Sequence, residues 1–575
     1  MPSSQQSKNY LYAMVLRPTV KDGVTTYKWV EKYRSPEMTS LSEGWADVHP
    51  TIADVNADGV PDIVTTRGVI RGNDWSKFQC TLKIANWSTW YHNFFALADL
   101  DQDGKMEVID TDIYDASTTG GGACQVLISH TNAAQSMKLD GTAAKEDYRY
   151  TAVADLIEDY NDPAHPGELK PEIVRVRNGY VSVWKVYKTV VDGKPVWKQR
   201  RIWETQQTSS GGGNPVIADF DGDGQRDIGV AGKYHYAVFN GQTGQIVWAS
   251  KTIDASSYST GSSVFDFEGD GIAEVVYRDE TRIRIYSGQG AGYDEDGKVI
   301  DTDKDGYMDA KVLWWWPNTS GTVIEYPLIV DVDNDGRTEI VMVSQPQNQY
   351  GTLGNSSYQG PEWTNLPTGI DVYRDTSDNW VRTRRIWNQH AYHVTNINED
   401  GSVPVHEEPN WLNPHLNNYR MNVQPLVNFA PNFVPAGLEH TSDHCSDKAK
   451  NVEMTLFVRN KGSLGVSDKV GVSIYVDNYV YEGVPRRIFI GTAYTNQAIS
   501  AGATVSVNFS WNRTGTVVIE GVEHTVTNMN PDNAEIIYVV DDAAGNSEYV
   551  AYNECLENDN TSTSTKLVEC ETIIY

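Results

Sequence analysis

The residues of this chain best suited to chemistry are carboxylates that recur in a nine-residue pattern. In the clearest copy, the acidic residues at positions 1, 3, 5 and 9 are Asp331, Asp333, Asp335 and Glu339. These side chains and the backbone carbonyl of Arg337 at position 7 supply most of the six to eight hard oxygen ligands that Ca²⁺ prefers. Gly336 at position 6 permits a sharp turn, because glycine adopts positive φ without steric cost. We therefore predict a calcium-binding loop.

The pattern occurs in six copies, and positions 1, 3, 5, 7 and 9 of each are the predicted metal ligands, position 7 through its carbonyl. These ligands are Asp54, Asn56, Asp58, Val60 and Asp62; Asp99, Asp101, Asp103, Lys105 and Glu107; Asp219, Asp221, Asp223, Gln225 and Asp227; Asp266, Glu268, Asp270, Ile272 and Glu274; Asp301, Asp303, Asp305, Tyr307 and Asp309; and Asp331, Asp333, Asp335, Arg337 and Glu339. A single copy is compatible with a surface turn. The set predicts about five or six calcium ions with a structural role, each neutralising clustered carboxylates.

The flanks of these loops indicate which elements position them. An EF-hand requires a ligand at position 12 and a helix on each side. Here the residues after position 9 are β-branched or apolar, as in the run 340–343 after Glu339. Each loop is therefore expected to lead into a β-strand.

The loops also define a repeat. They begin at residues 54, 99, 219, 266 and 331, with degenerate copies at Asp155 and Asn396, so successive units are about 45 to 65 residues long. Seven units of about four strands predict a seven-bladed β-propeller over residues 1–423. The loop at Asp301 is out of register, and we interpret it as an insertion between strands of the fifth unit. Residues 10–16 and 27–33 predict a hairpin, which we assign to the last blade with residues 396–423.

The C-terminal part follows a different pattern. Residues 424–440 contain three prolines and no strand pattern, which is typical of a linker. Residues 441–575 alternate polar and apolar side chains in short runs, such as 452–459 and 504–511. This alternation predicts a β-sandwich, so the fold class is all-β throughout.

Charge and cysteine content favour a place outside the cell. The chain has 47 basic and 77 acidic residues, a formal net charge of −30, and such a field repels nucleic acid and anionic membranes. Extracellular calcium modules bind at about 10⁻⁴–10⁻³ M. Two disulfides and one spare thiol are expected from Cys80 and Cys124 in the N-terminal part and Cys445, Cys555 and Cys570 in the C-terminal part, with buried free thiols as the alternative.

The sequence shows neither a secretory signal nor a membrane anchor. Residues 1–8 have no signal-peptide pattern, and no run of about 18 apolar residues could span a bilayer. We therefore expect a mature or excised segment of an exported protein, without membrane insertion.

Two resemblances to known families follow from these patterns. The repeated Ala-Asp-x-Asp-x-Asp-Gly-x-x-Asp/Glu-Ile-Val pattern over residues 10–423 resembles FG-GAP (VCBS-type) repeats, the calcium-binding blades of integrin α-chain heads and of many secreted or surface bacterial proteins. Residues 318–327 and 385–396 are also similar to bacterial members. Asn460, Asp541, Asp542 and the segment 553–560 are similar to CARDB-type adhesion sandwiches. This second resemblance implies that Cys445 pairs with Cys555 and leaves Cys570 unpaired.

Other candidate groups leave alternatives open. The group His390, His393, His406 and His415, with Tyr392 and Arg384, could provide the base, acid and carboxylate clamp of a polysaccharide lyase. Packing and hydrogen bonding at the ring closure is the other interpretation, and a zinc site at His390 and His393 lacks an evident third ligand. Aromatic residues such as Trp87, Trp90 and Trp314–Trp316 could stack on sugars or fill the core between blades.

Together, these patterns predict an extracellular or cell-surface calcium-binding adhesion protein that presents the propeller rim to a glycan or an extracellular protein. One alternative is a polysaccharide lyase or another glycan-degrading enzyme on the same scaffold. A further alternative is a structural subunit of an extracellular appendage, and so part of a larger surface assembly.

Overall fold

The computed structural model describes residues 8–21, 24–39, 50–82, 94–117, 120–132, 134–138, 150–157, 167–207, 209–322, 324–345, 368–377, 379–424, 431–440, 451–462, 465–466, 469–500, 502–530, 534–544, 546, 549, 552 and 559–567. In these residues the fold is all-β apart from two short 3₁₀ helices. The chain divides into two compact units, residues 1–396 with 403–423 (unit 1) and residues 397–402 with 424–575 (unit 2). Within the described ranges, a helix of the length and apolar character of a membrane span is absent.

Unit 1 begins with four strands that pair only among themselves in the described part of the chain. They are β1 (Lys8–Asn9), β2 (Tyr12–Lys21), β3 (Val24–Arg34) and β4 (Met38–Thr39). β1 pairs with β4, and β2 pairs with β3 to form the N-terminal hairpin. The hairpin is therefore present as predicted, and its turn residues 22 and 23 lie outside the described ranges.

Six sheets follow along the chain of unit 1. Sheet 1 contains β5 (Thr51–Ala53), β6 (Asp62–Thr65), β7 (Gly68–Arg71) and β8 (Asp74–Thr81); sheet 2 contains β9 (Ala96–Ala98), β10 (Glu107–Ile109), β11 (Ile113–Asp115) and β12 (Gln125–Ile128); sheet 3 contains β13 (Ser136–Met137), β14 (Tyr150–Ala154), β15 (Glu168–Arg177), β16 (Tyr180–Val191) and β17 (Lys194–Gln206). Sheet 4 contains β18 (Val216–Ala218), β19 (Asp227–Ala231), β20 (His235–Phe239) and β21 (Ile246–Lys251); sheet 5 contains β22 (Ser262–Phe265), β23 (Glu274–Arg278), β24 (Arg282–Tyr286) and β25 (Val312–Pro317); sheet 6 contains β26 (Leu328–Val330), β27 (Glu339–Ser344) and β28 (Gly369–Arg374).

Each of these sheets is built on an antiparallel meander in chain order, and sheet 3 adds β13 parallel to β17. The first strands are short, apolar and almost fully buried, and β9, β14, β18, β22 and β26 each contact the next in that order. The outer strands are more exposed, as in β25. The first strands therefore form the inside of unit 1.

Apolar residues fill the space between successive sheets. One core joins sheets 1 and 2, a second joins sheets 2, 3 and 4, a third joins sheets 4 and 5, and a fourth joins sheets 5 and 6. The Cys80–Cys124 disulfide links the last strand of sheet 1 to the residue before β12 of sheet 2. Cys445, Cys555 and Cys570 lie outside the described residues.

The end of unit 1 differs from the prediction. Residues 379–424 contain no strand, and two 3₁₀ helices, Val394–Asn396 and Asn410–Leu412, lie there instead. Tyr419 forms a β-bridge with Ile217 of β18, and Met421 forms one with Val264 of β22. The predicted last blade of residues 396–423 and the hairpin is therefore wrong. The segment is rich in asparagine and proline and lacks two-residue alternation, and its polar side chains bond to the inner strands instead.

Unit 2 contains two sheets that share one apolar core. Sheet 7 contains β29 (Phe433–His440), β30 (Val452–Asn460) and β33 (Thr504–Trp511). Sheet 8 contains β31 (Gly471–Tyr481), β32 (Val484–Tyr494), β34 (Gly515–Ile519), β35 (Val522–Val526), β36 (Glu535–Val540) and β37 (Thr565–Lys566). Leu456 of β30 and Ile474 of β31 belong to the same buried cluster, so the inner faces pack together.

The predicted linker 424–440 is partly wrong, because Phe433–His440 forms strand β29. Residues 425–430 lie outside the described ranges. Pro435 is compatible with this strand for two reasons. β29 is at the edge of sheet 7, and its register with β30 shifts between Pro435 and Gly437. Edge strands and bulges are the places where a sheet accepts proline.

Candidate metal centres

Five of the six predicted loops have the same place in the fold. In sheets 1, 2, 4, 5 and 6 the loop joins the first strand to the second. Asp99, for example, directly follows β9, and Glu107 is the first residue of β10. The sixth loop, Asp301–Asp309, lies between β24 and β25 of sheet 5. This position agrees with the prediction that the loop is an insertion between strands of one unit.

The loops also share a backbone conformation. Glycine at position 6 has positive φ in all six, between 81° at Gly336 and 93° at Gly306. Position 4 has positive φ as well, including 57° at Ala57 and 60° at Asn334. This second requirement, positive φ at position 4, was not predicted from the sequence. Its signal is the glycine or asparagine at position 4 of half of the copies, since these residues adopt positive φ most readily.

Backbone amides hold the carboxylate at position 1. In the last loop the amides of Asp335 and Gly336 donate to the two carboxylate oxygens of Asp331, at 3.2 and 2.9 Å. The amide of Arg337 donates to Oδ1 of Asp335 at 2.9 Å. The other loops repeat this arrangement with small variations. The loop backbone therefore orients the acidic side chains without using all of their oxygen lone pairs.

Acidic side chains converge in five of the loops. In each, one oxygen from each of three residues lies within 4.8 Å of the others: Asp99, Asp101 and Glu107; Asp219, Asp221 and Asp223; Asp266, Glu268 and Glu274; Asp301, Asp303 and Asp309; and Asp331, Asp333 and Glu339. Positions 1, 3 and 9 thus meet in four loops, and positions 1, 3 and 5 meet in the loop at Asp219. In the loop at Asp54, position 3 is Asn56, whose side chain bonds to Asp62 at 3.2 Å.

The spacing and environment of these oxygens fit a divalent cation. Calcium–oxygen distances are about 2.3–2.6 Å, so ligands on opposite sides of one ion are about 5 Å apart, and the three oxygens of each cluster lie within that span of one another. Three buried oxygens, Oδ1 of Asp101, Oδ2 of Asp227 and Oε1 of Glu339, accept no hydrogen bond within the described part of the chain. Because a buried carboxylate oxygen without a partner is costly, these atoms are suited to a metal ion.

Burial changes the acidity of several of these groups. It raises the pKa of Glu107 and of Glu274 to about 9 and that of Asp227 to about 8. Burial also raises the pKa of Asp62 to about 6. Neighbouring carboxylates raise each of these values further, because like charges disfavour ionisation. A bound cation would oppose both effects and keep the carboxylates ionised.

Basic side chains from other strands approach the loops, and they were not predicted from the loop pattern. Lys188 of β16 forms an ion pair with Asp101 of the loop in sheet 2. Lys251 of β21 lies 3.1 Å from Asp303, and Arg374 of β28 lies 2.9 Å from Asp335. These partners come from strands far away in the sequence, so local spacing cannot reveal them.

The degenerate copy at Asp155 keeps two carboxylates but pairs both with lysine. Asp155 follows β14, and the amide of Leu156 donates to Glu172 at 2.7 Å, as the amide of Leu100 does to Glu107 at 2.9 Å. Glu172 therefore takes the role of position 9. Lys170 lies 3.1 Å from Asp155, and Lys185 forms an ion pair with Glu172. Residues 158–166 lie outside the described ranges.

The degenerate copy at Asn396 lacks the strand that precedes the other loops. A 3₁₀ helix ends at Asn396, whose side-chain amide donates to the carbonyl of Ala391 at 3.1 Å. Among the described residues, the three-residue acidic clusters contain no member of this segment.

The four histidines of the alternative catalytic group contact different partners. His390 stacks on Phe94 with ring centroids 3.9 Å apart, and His393 is buried in an ion pair with Glu407. His406 and His415 are exposed. Arg384 is buried and donates to Tyr392 at 3.1 Å and to the carbonyl of Val394 at 2.9 Å.

The aromatic candidates divide between surface and interior. On β25, Trp315 and Trp316 are exposed, and Trp314 is half-buried against Tyr373. Trp87 and Trp90 lie outside the described residues.

Comparison with known proteins gives one family match. Residues 219–277, which include the loops at Asp219 and Asp266, match the model of the FG-GAP-like repeat. No curated protein matches the chain.

Several solved structures are similar at low scores. The biofilm matrix protein Bap1 of V. cholerae has 15% identity and a TM-score of 0.42, with 72% of this chain and 83% of that chain covered. The WD40 domain of SCAP from fission yeast has 9% identity and a TM-score of 0.25, with 82% and 97% covered. The GH3 beta-glucosidase of Bifidobacterium adolescentis has 12% identity and a TM-score of 0.15, with 24% and 17% covered. These scores are too low to transfer a fold or a function. The described residues are thus all-β apart from two short 3₁₀ helices, and residues 219–277 among them are similar to the FG-GAP-like repeat.

Proposed function

We propose that this protein is an extracellular or cell-surface adhesion protein whose calcium-loaded unit 1 presents a rigid surface to a glycan or protein ligand. The observation that carries the proposal is the recurrence of one carboxylate loop at the same strand connection in five sheets. Calcium is the expected ion, because the ligand set consists of carboxylate and carbonyl oxygens without sulfur or converging histidine. Millimolar calcium outside the cell suits such open loops.

The propeller is the architecture that best accounts for the sheets of unit 1. Six consecutive sheets begin with buried inner strands, and each packs against the next through an apolar core. Radial repetition of four-stranded sheets with short, protected edges is typical of a β-propeller. The described residues contain six consecutive sheets, four of them four-stranded, and each is proposed to be one blade, while the total of seven blades stays a prediction.

Unit 2 is proposed to be a β-sandwich of the CARDB type. Sheets 7 and 8 bury one shared core, as two face-to-face antiparallel sheets do. The Cys445–Cys555 disulfide that this resemblance implies stays a prediction. Such a sandwich would act as a spacer for the ligand-binding unit 1.

A calcium ion in each of the five loops between first and second strands would join those strands by neutralising clustered carboxylates, and one in the loop at Asp301 would act between β24 and β25. Loops at the ends of strands would then be held in fixed positions, which is how rigid scaffolds present binding residues. At about ten times its dissociation constant, one ion stabilises the folded state by about 1.4 kcal/mol. Calcium would thus act on the ligand surface through rigidity, without direct contact with the ligand.

A glycan-array screen tests this proposal. The protein is screened in about 2 mM calcium, close to the extracellular calcium concentration, and in EDTA. Circular dichroism of the same samples shows whether the protein stays folded. We expect glycan binding in calcium that is lost in EDTA. Each acidic polysaccharide that binds is then followed at about 235 nm, where lyase products absorb. Growth of absorbance would contradict an adhesion role and favour a lyase.

A test variant and a matched control each remove one negative charge. Glu274→Gln removes a buried ligand of sheet 5, and Asp294→Asn changes an exposed acidic turn that is not part of the repeat. Reduced calcium-dependent binding is expected for the first variant alone. Equal binding of both variants would contradict a calcium-supported surface.

A further inference from the structure

The N-terminal hairpin is an unusual surface for this protein. β2 and β3 pair from Lys21 and Val24 to Tyr12 and Arg34, and every described side chain of β3 from Thr26 to Arg34 is exposed. In the described part of the chain β3 pairs with β2 alone. Its outer edge therefore offers unpaired backbone groups beside exposed side chains.

One face of the hairpin is aromatic and apolar. Leu16 lies opposite Trp29, and Pro18 lies opposite Tyr27. Side chains that are directly opposite in an antiparallel pair project from the same face. Trp29 is 67% exposed and Tyr27 is 62% exposed, which is far more than aromatic residues in a core. This face is therefore free to stack on a ligand.

The hairpin is also basic, in contrast to the rest of the chain. β2 and β3 contain five basic residues, Arg17, Lys21, Lys28, Lys32 and Arg34, against the single acid Glu31, in a chain of net charge −30. Lys28 has no ion pair within the described ranges, and the ammonium of Lys32 lies 5.2 Å from the ring of Tyr33. The hairpin thus attracts anions that the rest of the chain repels.

The base of the hairpin is closed by hydrogen bonds between its two ends, and Tyr33 contacts sheet 1. The amide of Ser35 donates to the carbonyl of Leu11, and the amide of Leu11 donates to Oγ of Ser35, both at 2.9 Å. Tyr33 stacks on Trp75 of β8 with ring centroids 5.5 Å apart. Tyr27, Lys28 and Trp29, which lie beyond this anchor, make no hydrogen bond, ion pair or ring contact with sheet 1 in the described structure. The hairpin is therefore an anchored arm with an open end.

We propose that the edge of β3 binds an anionic polysaccharide, an inference that rests on the adhesion role proposed above and names its ligand class. The rings of Tyr27 and Trp29 stack on sugar faces, and Lys28 and Lys32 pair with carboxylate or sulfate groups along the same polymer. The eleven residues of β3 extend about 35 Å, long enough for several consecutive sugars. The unpaired backbone edge supplies hydrogen bonds to hydroxyl groups.

Charge favours a polymer over an anionic membrane. A flat bilayer would bring the acidic parts of the protein close to its negative surface, where like charges repel. A polysaccharide chain can contact the hairpin alone. Tyr27 and Trp29 project from one face of β3 and Lys28 projects from the opposite face, so a linear ligand that follows the unpaired outer edge contacts both sets of side chains.

The test measures binding of the full chain to immobilised hyaluronan, polygalacturonate and dextran sulfate, with neutral dextran as reference. We expect binding to at least one anionic polymer, none to dextran, and weakening as NaCl increases. Tyr27→Ala/Trp29→Ala and Lys28→Glu/Lys32→Glu should each weaken binding at least about tenfold, or about 1.4 kcal/mol. The controls Tyr293→Ala and Lys194→Glu change exposed residues elsewhere and should stay within about twofold.

The calcium content of every variant separates this inference from the proposed function. Retained calcium with unchanged polymer binding in both hairpin variants would overturn the inference and leave the calcium-dependent adhesion role intact. Absence of bound calcium with hairpin-dependent polymer binding would support the inference and overturn the calcium-loaded unit 1 of the proposed function. Failure to bind all three anionic polymers, or binding only to phosphatidylserine vesicles, would also overturn the inference.

Discussion

Lys185 forms an ion pair with Glu172, and both side chains are fully buried. Glu172 stands where the other loops have their position-9 carboxylate, and Lys170 pairs in the same way with Asp155, which follows the first strand of sheet 3. The chain's own lysines thus provide in sheet 3 the positive charge that the other loops would receive from a metal ion. Burial raises the pKa of the Glu172 carboxyl, and the Lys185 ammonium opposes that shift.

Removal of the Lys185 ammonium is expected to lower the free energy of unfolding strongly. Lys185→Met leaves Glu172 buried without a counter-charge, and breaking such a pair costs about 3–5 kcal/mol. Urea denaturation in EDTA measures the free energy of unfolding. The double variant Lys185→Met/Glu172→Gln should recover much of the loss, because the buried charge is then absent.

Lys170→Met is the matched control, because Lys170 and Asp155 are partly exposed. Its cost should be below about 1 kcal/mol. Equal costs for the two single variants would show that Lys185 has no special role.

The apo protein should lose stability as the pH rises. The folded-state pKa is about 9 for Glu107 and Glu274 and about 8 for Asp227, above the value of about 4 in an unfolded chain. Between these values the native state binds more protons than the unfolded state, so the free energy of unfolding decreases with pH. Urea denaturation in EDTA at pH 6 and pH 8 should show this decrease.

Calcium should reverse the trend. Carboxylates must be ionised to bind the ion, so calcium affinity increases with pH. With saturating calcium the protein should be at least as stable at pH 8 as at pH 6. A pH dependence that is the same with calcium and with EDTA would contradict the assignment of these carboxylates as ligands.

His393 and Glu407 should contribute a separate pH dependence. Burial lowers the pKa of His393, but the Glu407 carboxylate outweighs this effect and the pKa is raised. The ion pair therefore stabilises the fold fully below about pH 6.5, and this contribution is lost as the pH rises through the folded-state pKa. NMR titration of the histidine ring should give a lower pKa for His393 in Glu407→Gln.

The control for this titration is His235 of β20, whose pKa is lowered by burial and should be the same in both proteins. A pKa of His393 that does not change in Glu407→Gln would show that the carboxylate does not hold the proton.

The loops were predictable because their requirements are local. In the Asp331 loop, the acidic residues at every second position indicate the metal ligands, and the glycine at position 6 indicates the turn. The loop at Asp301 follows from its acidic pattern, and its spacing indicates the insertion; the degenerate copy at Asp155 follows from the long gap between loops together with its acidic residues. Lys185 could not be predicted as the partner of Glu172, because its role depends on the register of β15 with β16.

The end of unit 1 was mispredicted for a related reason. Asn396 and Asp400 resemble the start of a further repeat, yet residues 379–424 bond to strands that are far away in sequence, such as Asn417 to Asp155 at 2.9 Å. β29 was missed because Pro435 usually argues against a strand, and only its edge position makes the strand possible.

The number of calcium ions bound per chain tests the central claim most directly. Elemental analysis after gel filtration in calcium should give about five or six ions per chain, as expected for open carboxylate loops. Glu107→Gln and Glu274→Gln should each remove about one ion, and Asp294→Asn should remove none. One ion or fewer in the wild-type protein, or an unchanged count in both glutamine variants, would contradict the account.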